Sequence, residues 1–533
     1  MLQFACFRER VEFLVGSVLA LLTVPPVGAV IGSTVFWEAI DRGFKGGLVE
    51  SNNELTGLIF GQILPWITRM TEPFNKKLVK NPDDAFLPNA ALFFVLGLPL
   101  LLTSFGRWHL ANEGSLGVQL GLCWAYHVMR IGPFFMNFAY VYVLCHKEGH
   151  AAAAGHGMFA PPFDKFGPFR HIFNWWVGLY YGVMPASFAV GHSINHHKYN
   201  NGPSDVISVA DKPRDEWTAL ICYIPRFLLY ACNVSTVRQF YKEGRYRVAW
   251  SMVVGTLYYV VWYALVSRAY GPLFAFMYIA YPFFEQTLML SGINWVWHAF
   301  IDPDNAENEY VQSITILGGT INVLNEDAHV VHHQYPGAHW NKHPRLLTKH
   351  HDGYRQGVGS VFYGTHTFEV LALILLADYD KLADRFVGYL PSNAELELFG
   401  CGTHDKTKVA RPKPAVSHDE AKRLLKERLR ACWWGPRVSK QGGEHEGMGF
   451  RQAAEQEWAP GFDGAEAEAP VVAAPSAEDA KGAEAKAASG RKARDSGSRT
   501  RPSTSPAPPT QRMRTPSPAA KPLTSRGAKA KAA

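Results

Sequence analysis

The sequence predicts an all-α integral membrane protein: two transmembrane helical hairpins under a cytosolic cap of histidine motifs, followed by a disordered C-terminal tail. Three observations lead there. Four apolar stretches, 86–105, 117–145, 247–267 and 272–297, each reach the roughly 20 residues that span a bilayer. Nine histidines gather in four groups at or near the edges of apolar segments. From about residue 402 the composition turns to Ala, Pro, Ser, Gly, Lys, Arg and Glu, so a mean hydropathy of −0.08 averages an apolar body with a polar tail.

Taken from the N-terminus, residues 1–84 read as a membrane-associated region. Segment 11–36 is long enough to cross but is broken at Pro25-Pro26, which leaves a kinked span or a re-entrant element, and 55–68 is too short. The opening MLQFACFRERVEF carries no signal-peptide cleavage pattern. Residues 85–400 form the main membrane domain, with hairpins turning at GRWHLANEGS and SRAYG. Each hairpin returns to its starting face. A further crossing by the apolar stretch 172–190 would put His192 opposite His150, so that stretch, rich in Trp and Tyr, is placed in the membrane interface, as is 359–376.

Arg69, Lys76, Lys77 and Lys80 precede the first hairpin, and Lys212, Arg214, Arg226, Arg238, Lys242, Arg245 and Arg247 the second. The opposite turns offer only Arg107 and Arg268, so the positive-inside rule puts the histidines in the cytosol. Residues 401–533 form the tail. Within it 418–432 has the pattern of a short amphipathic helix, and beyond about 440 too few apolar residues remain to offset ordering entropy. The terminal Lys529-Ala-Lys531-Ala-Ala resembles a dilysine retrieval signal, making the endoplasmic reticulum the expected location and a chloroplast membrane the alternative.

The net charge of +7 forms no basic face with interleaved aromatics, which argues against nucleic acid and for anionic lipid headgroups as partners. Cys6, Cys123, Cys145, Cys222, Cys232, Cys401 and Cys432 show no paired spacing, so they read as packing residues in a reducing compartment. Cys145, beside His146, is the one with a thiol-ligand alternative.

The histidines read HKEGH (His146, His150), HSINHH (His192, His196, His197), WVWH (His298) and HVVHH (His329, His332, His333). Residues four apart share a helix face, so His146/His150, His192/His196 and His329/His333 each present two nitrogens on one side. The neighbours His196/His197 and His332/His333 diverge by about 100° around a helix and can serve two different ions. Nine imidazoles are too many for one tetrahedral ion and fit two five-coordinate ones. HKEGH is not a zinc-protease helix, since Glu148 stands third in the motif. His109, His127 and His366 read as core or surface residues. His339, His343, His350 and His351 are expected to face solvent, and no role is assigned to His156 and His171.

HKEGH, HSINHH and HVVHH resemble the three histidine boxes of the membrane fatty-acid desaturase and hydroxylase superfamily. Asn294 and His298 resemble its Asn-x-x-x-His element, and the likeness covers roughly 85–375. The resemblance implies a non-haem di-iron centre held by the nine histidines, with Asn294 approaching one iron through water and O2 as co-substrate. The three residues between His192 and His196 match alkane hydroxylases and some desaturases, and His329 stands where front-end desaturases carry Gln. Asp205, Asp302, Glu326 and Asp327 are candidates to fix ligand tautomers, or are ordinary solvated carboxylates. Trp175, Trp176, Tyr180, Tyr181, Trp295 and Trp297 either line a substrate tunnel or anchor the interface.

The expected function is O2-dependent desaturation of a lipid-linked acyl chain, fed by an external electron donor of cytochrome b5 or ferredoxin type. Hydroxylation at the same centre is the first alternative. A histidine-rich metal transporter is the second, and it would carry polar residues in the middle of several spans.

Overall fold

The computed structural model describes residues 7–21, 28, 64–132, 135–319, 322–391 and 412–435. Pro25-Pro26, most of 55–68, Cys6, Cys401 and the tail beyond 435, with Lys529 and Lys531, lie outside the described residues.

The chain is mostly helical. An amphipathic helix α1 (Leu64–Leu78) leads into α2 (Leu87–Ala111), which carries Pro88 in its first turn, where a missing N–H costs nothing. α3 (Leu116–Ile131) stops at Gly132, whose φ of 76° suits glycine, and α4 (Met136–Ala153) leaves at an angle of 58°. α5 (Trp217–Ala231) and α6 (Val234–Lys242) meet at 70° through Asn233, at φ 65°. α7 (Tyr246–Tyr270) ends on Gly271, and α8 (Tyr281–Trp297) continues a short π-turn after Pro272.

Among the described residues three helical stretches, Pro82–Ala111, Tyr246–Tyr270 and Pro272–Trp297, are long and apolar enough to cross a membrane. The bent pairs α3/α4 and α5/α6 each pass the same test when taken together, making up to five spans. The four expected segments are thus present; α5/α6, bent by 70°, lies between His197 and the α7/α8 hairpin, and because His196 and His298 meet it returns to the face it leaves. Leu92, Leu96 and Leu100 on α2, and Leu257, Val261 and Leu265 on α7, recur at four-residue spacing and are exposed, as suits contact with acyl chains.

The stretch 172–190 forms no continuous helix long enough to cross, in line with expectation, but its tyrosines are buried in the core and not exposed. It breaks into Ile172–Trp175, Val177–Tyr181 and the start of a π-helix, Ser187–His196, and Tyr180 and Tyr181 are fully buried. Two features fold it inward. The Glu148 carboxylate accepts from Phe173 N, Asn174 N and Asn174 Nδ2 at 2.7–3.0 Å. Gly182 turns at φ 79°, so close to Pro282 and Phe283 that a Cβ would lie 2.4 Å from the Phe283 backbone.

After α8, two three-residue strands, β1 (Thr315–Leu317) and β2 (Val361–Tyr363), pair in parallel. Helix α9 (His329–Gln334) lies between them in sequence. The stretch 359–376, expected in the interface, supplies β2 and then α10 (Thr367–Leu375), with Val361, Phe362 and Val370 buried. The helix expected at 418–432 forms as α11 (His418–Arg430) and folds back onto this region. The Arg428 guanidinium donates to Gly357 O and Val358 O, and that of Arg214 to Ala299 O, Arg428 O and Ala431 O. Beyond α11, Trp433 N donates to Ala210 O and Trp434 Nε1 to Ser208 Oγ, both at 2.9 Å.

Candidate metal centre

Four pieces of backbone deliver the nine histidines. His146 and His150 end α4, His192, His196 and His197 lie at the end of the π-helix, His298 caps α8, and His329, His332 and His333 lie on α9. Eight are buried and His333 is partly so. Gly149, between the first two, lets the π-helix approach so closely that a Cβ would lie 2.7 Å from Phe188 Cβ.

The rings sort into two groups. His146, His150, His192, His197 and His332 offer nitrogens that all lie within 4.8 Å of one another, and so do His196, His298 and His333. His329 adjoins the second, with Nε2 3.4 Å from His298 Nε2 and 3.2 Å from His333 Nε2. The adjacent pairs divide as expected: His197 and His332 join the first group, His196 and His333 the second. The pairing of His192 with His196 is corrected. A π-helix closes i→i+5 bonds, so His192 aligns with His197, their Nε2 atoms 2.9 Å apart, and His196 turns to His298 at 3.1 Å.

These spacings fit a cation. Two ligands at right angles on a metal–nitrogen bond of about 2.1 Å sit about 3.0 Å apart. The Nε2 pairs His146–His192, His146–His150 and His329–His333 stand at 2.7, 3.0 and 3.2 Å. Burial first, then neighbouring imidazoles, holds His192, His197, His298, His332 and His333 well below the ordinary histidine range, so they are neutral and ready to ligate. His332 Nε2 is buried without a hydrogen-bond partner among the described residues, a donor atom left for a metal.

Outer contacts orient the rings. Asp205 Oδ2 stands 2.7 Å from His196 Nδ1, and the same carboxylate accepts from Asn201 N and Ile207 N. Glu326 lies 3.2 Å from His146 Nδ1 and 2.5 Å from Lys147 Nζ. Burial would raise Glu326, but Lys147 and His146 outweigh it and hold the carboxyl well below the usual range. Ser193 Oγ lies 3.2 Å from His150 Nδ1 and Ser313 Oγ 3.3 Å from His298 Nδ1; neither serine is legible in the sequence as a partner. Asp302 is turned to Asn308 instead, and Asp327 lines a cavity.

That cavity, of about 150 Å³, lies between α4, the π-helix, α5, α8 and α10. Its floor touches both histidine groups through His146, His192, His196 and His329, and its walls are largely aromatic and aliphatic. Asn294 lines it one turn before His298 and belongs to neither group; its Nδ2 donates to Ile207 O and Tyr223 Oη. Of the six expected tunnel aromatics only Trp297 is in the wall. Trp295 packs on Tyr223 and donates to Arg214 O, Tyr181 Oη donates to Arg130 O, Trp176 and Tyr180 meet Trp262 at steep ring angles, and Trp175 meets Tyr258 likewise. The wall residues missed, Phe138, Tyr142 and Phe188, sit four or eight residues before His146 and His192, a helical stripe that the sequence displays.

The remaining histidines serve the fold. His343 is fully buried, contrary to expectation, because it packs beneath His332 and meets Asn325 O. His339 is held by Asp84, His350 by Tyr310 and Tyr335, and His351 is partly exposed. His156 and His171 join neither group, His109 and His127 are buried, and His366 caps α10. Cys145 turns its thiol to Phe173 O, a packing role.

Residues 122–364 match a family model described as fatty acid desaturase. No curated protein and no solved structure matches the chain. The matched stretch carries all nine histidines, and its family is one of metal-dependent membrane oxidoreductases. With helices long and apolar enough to cross a bilayer and a buried histidine cluster of metal-binding spacing, the chain reads as an integral membrane protein whose residues 122–364 match the fatty acid desaturase family.

Proposed function

We propose that the protein desaturates a lipid-linked acyl chain at a di-iron centre. The observation that carries this is the apolar cavity whose floor is formed by both histidine groups. One ion would be held by His146, His150, His192, His197 and His332, the other by His196, His298, His329 and His333, with Asn294 beside the second. Bound there, two irons supply O2 activation and removal of hydrogen from an unactivated methylene. Across the reaction two neighbouring CH2 groups lose one hydrogen each, and O2, with two electrons and two protons from an external donor, leaves as two waters.

The chain's own residues do the positioning. Asp205 and Glu326 hold His196 and His146 by their Nδ1 sides, leaving Nε2 toward the ions. Phe138, Tyr142, Phe188 and Leu290 enclose the alkyl chain and exclude water. The donor, of cytochrome b5 or ferredoxin type, would meet the histidine face in the cytosol, and the terminal lysines favour the endoplasmic reticulum. Histidines gathered at one end of a cavity with mostly apolar walls, rather than along a polar path, speak against transport.

Expression in yeast with mass spectrometry of the lipids tests the reading. A new double bond, absent with His332→Ala, and about two irons per purified chain are expected. A hydroxylated chain without a double bond would overturn desaturation in favour of hydroxylation, and bound zinc alone would overturn both.

A further inference from the structure

Three polar side chains in the cavity wall have no use inside the protein. Gln286 is 4% exposed, Tyr230 7% and Ser187 9%. None makes a side-chain hydrogen bond among the described residues, and their polar atoms open onto the cavity rather than being sealed in packing. Gln286 is the most telling, since its amide brings two N–H donors and a carbonyl acceptor into a wall that also holds Phe135, Phe138 and Leu290. A polar group buried without a partner is unfavourable unless something arrives to pair with it.

Its position sets what that partner is. Gln286, Leu290, Ile293, Asn294 and Trp297 form one stripe on α8 facing the cavity. Eight residues separate Gln286 from Asn294, about 12 Å along a helix rising 1.5 Å per residue. The amide therefore lies at the end of the cavity away from the histidines. An alkyl chain lying along the stripe passes the metal centre first and then reaches Gln286.

We propose that Gln286 selects a chain that carries a hydrogen-bonding group, a hydroxyl or carbonyl, beyond its reacting carbons. The proposal deepens the desaturase reading and rests on the cavity holding the substrate. A plain hydrocarbon chain leaves the amide unpaired, whereas a hydroxyl at the right carbon donates to Oε1 and accepts from Nε2. Sites built to hydrogen-bond a substrate discriminate strongly against the analogue that lacks the group.

The test compares purified, iron-loaded protein in detergent with a saturated fatty acid and with the same acid bearing one hydroxyl, stepped along its distal half. Binding is read as ligand-dependent Tm and as Kd, separately from product formation. At one hydroxyl position the Kd should fall roughly 5- to 150-fold below that of the plain chain. Gln286→Leu should erase that difference and improve binding of the plain chain. Equal binding of all chains by the wild type, or binding of none, overturns the proposal. Should Gln286→Leu fail to fold, the wild-type series together with the closer-sized Gln286→Met still decides. A hydroxyl preference in binding with no product from any chain would count against the desaturase reading and leave the selection standing.

Discussion

The two histidine groups share the second and third boxes but differ in how they are closed. The first collects five imidazoles, and its outer contacts are an ion-paired carboxylate, Glu326 with Lys147, and a serine. The second collects three within mutual reach and one adjoining, and its carboxylate, Asp205, is anchored by backbone N–H groups rather than by a cation. The first is thus coordinatively fuller; both border the cavity, the second beside Asn294. The difference teaches how one short motif supplies two ligand groups: adjacent histidines diverge, and a π-turn brings His192 onto the side of His197.

Breaking the comparison outright takes single ligands. His332→Ala and His333→Ala alter neighbouring residues yet should strip different ions. Each should drop bound iron from about two to about one per chain and abolish product. If His333→Ala lost no iron, the four-histidine group would not be a site. A smaller effect should come from the carboxylates. Glu326→Gln and Asp205→Asn should each weaken iron binding or activity about 10- to 100-fold in a chelator competition. Asp205→Asn should do more, because it also loosens Asn201 and Ile207. The smallest effect is expected from Ser193→Ala and Ser313→Ala, at about 0.5–1.5 kcal/mol each in denaturant unfolding of the loaded protein. Equal losses would say that the serines orient the two groups alike.

Much of the centre was legible because ligand chemistry constrains spacing. HKEGH on the end of an apolar helix and the doubled His196/His197 and His332/His333 point to two ions without any tertiary knowledge. What stayed hidden depends on contacts between segments. The π-winding of 187–196 arises where the helix lies against Gly149, and a sequence of ordinary helix formers does not announce it. The aromatics of 172–190 suit an interface and a core equally, and only Glu148 and Gly182 decide for the core. His343 lies in the same polar stretch as the half-buried His339, His350 and His351 but packs beneath His332. The charged pair Arg130–Glu285, 2.6 Å apart and fully buried among the spans, was likewise invisible, since neither residue predicts the other.

The contacts of Trp433 and Trp434 also set a timetable. Trp434 holds Ser208, Ser208 donates to Asn201, and Asn201 N donates to Asp205, the carboxylate that fixes His196. The last link in that series is made by the ribosome about a hundred residues after His333. Every ligand has therefore left the ribosome before the loop that steadies the second group can close. The second histidine group is thus the one whose outer contacts are completed last as the chain is made, and the first shares none of that series.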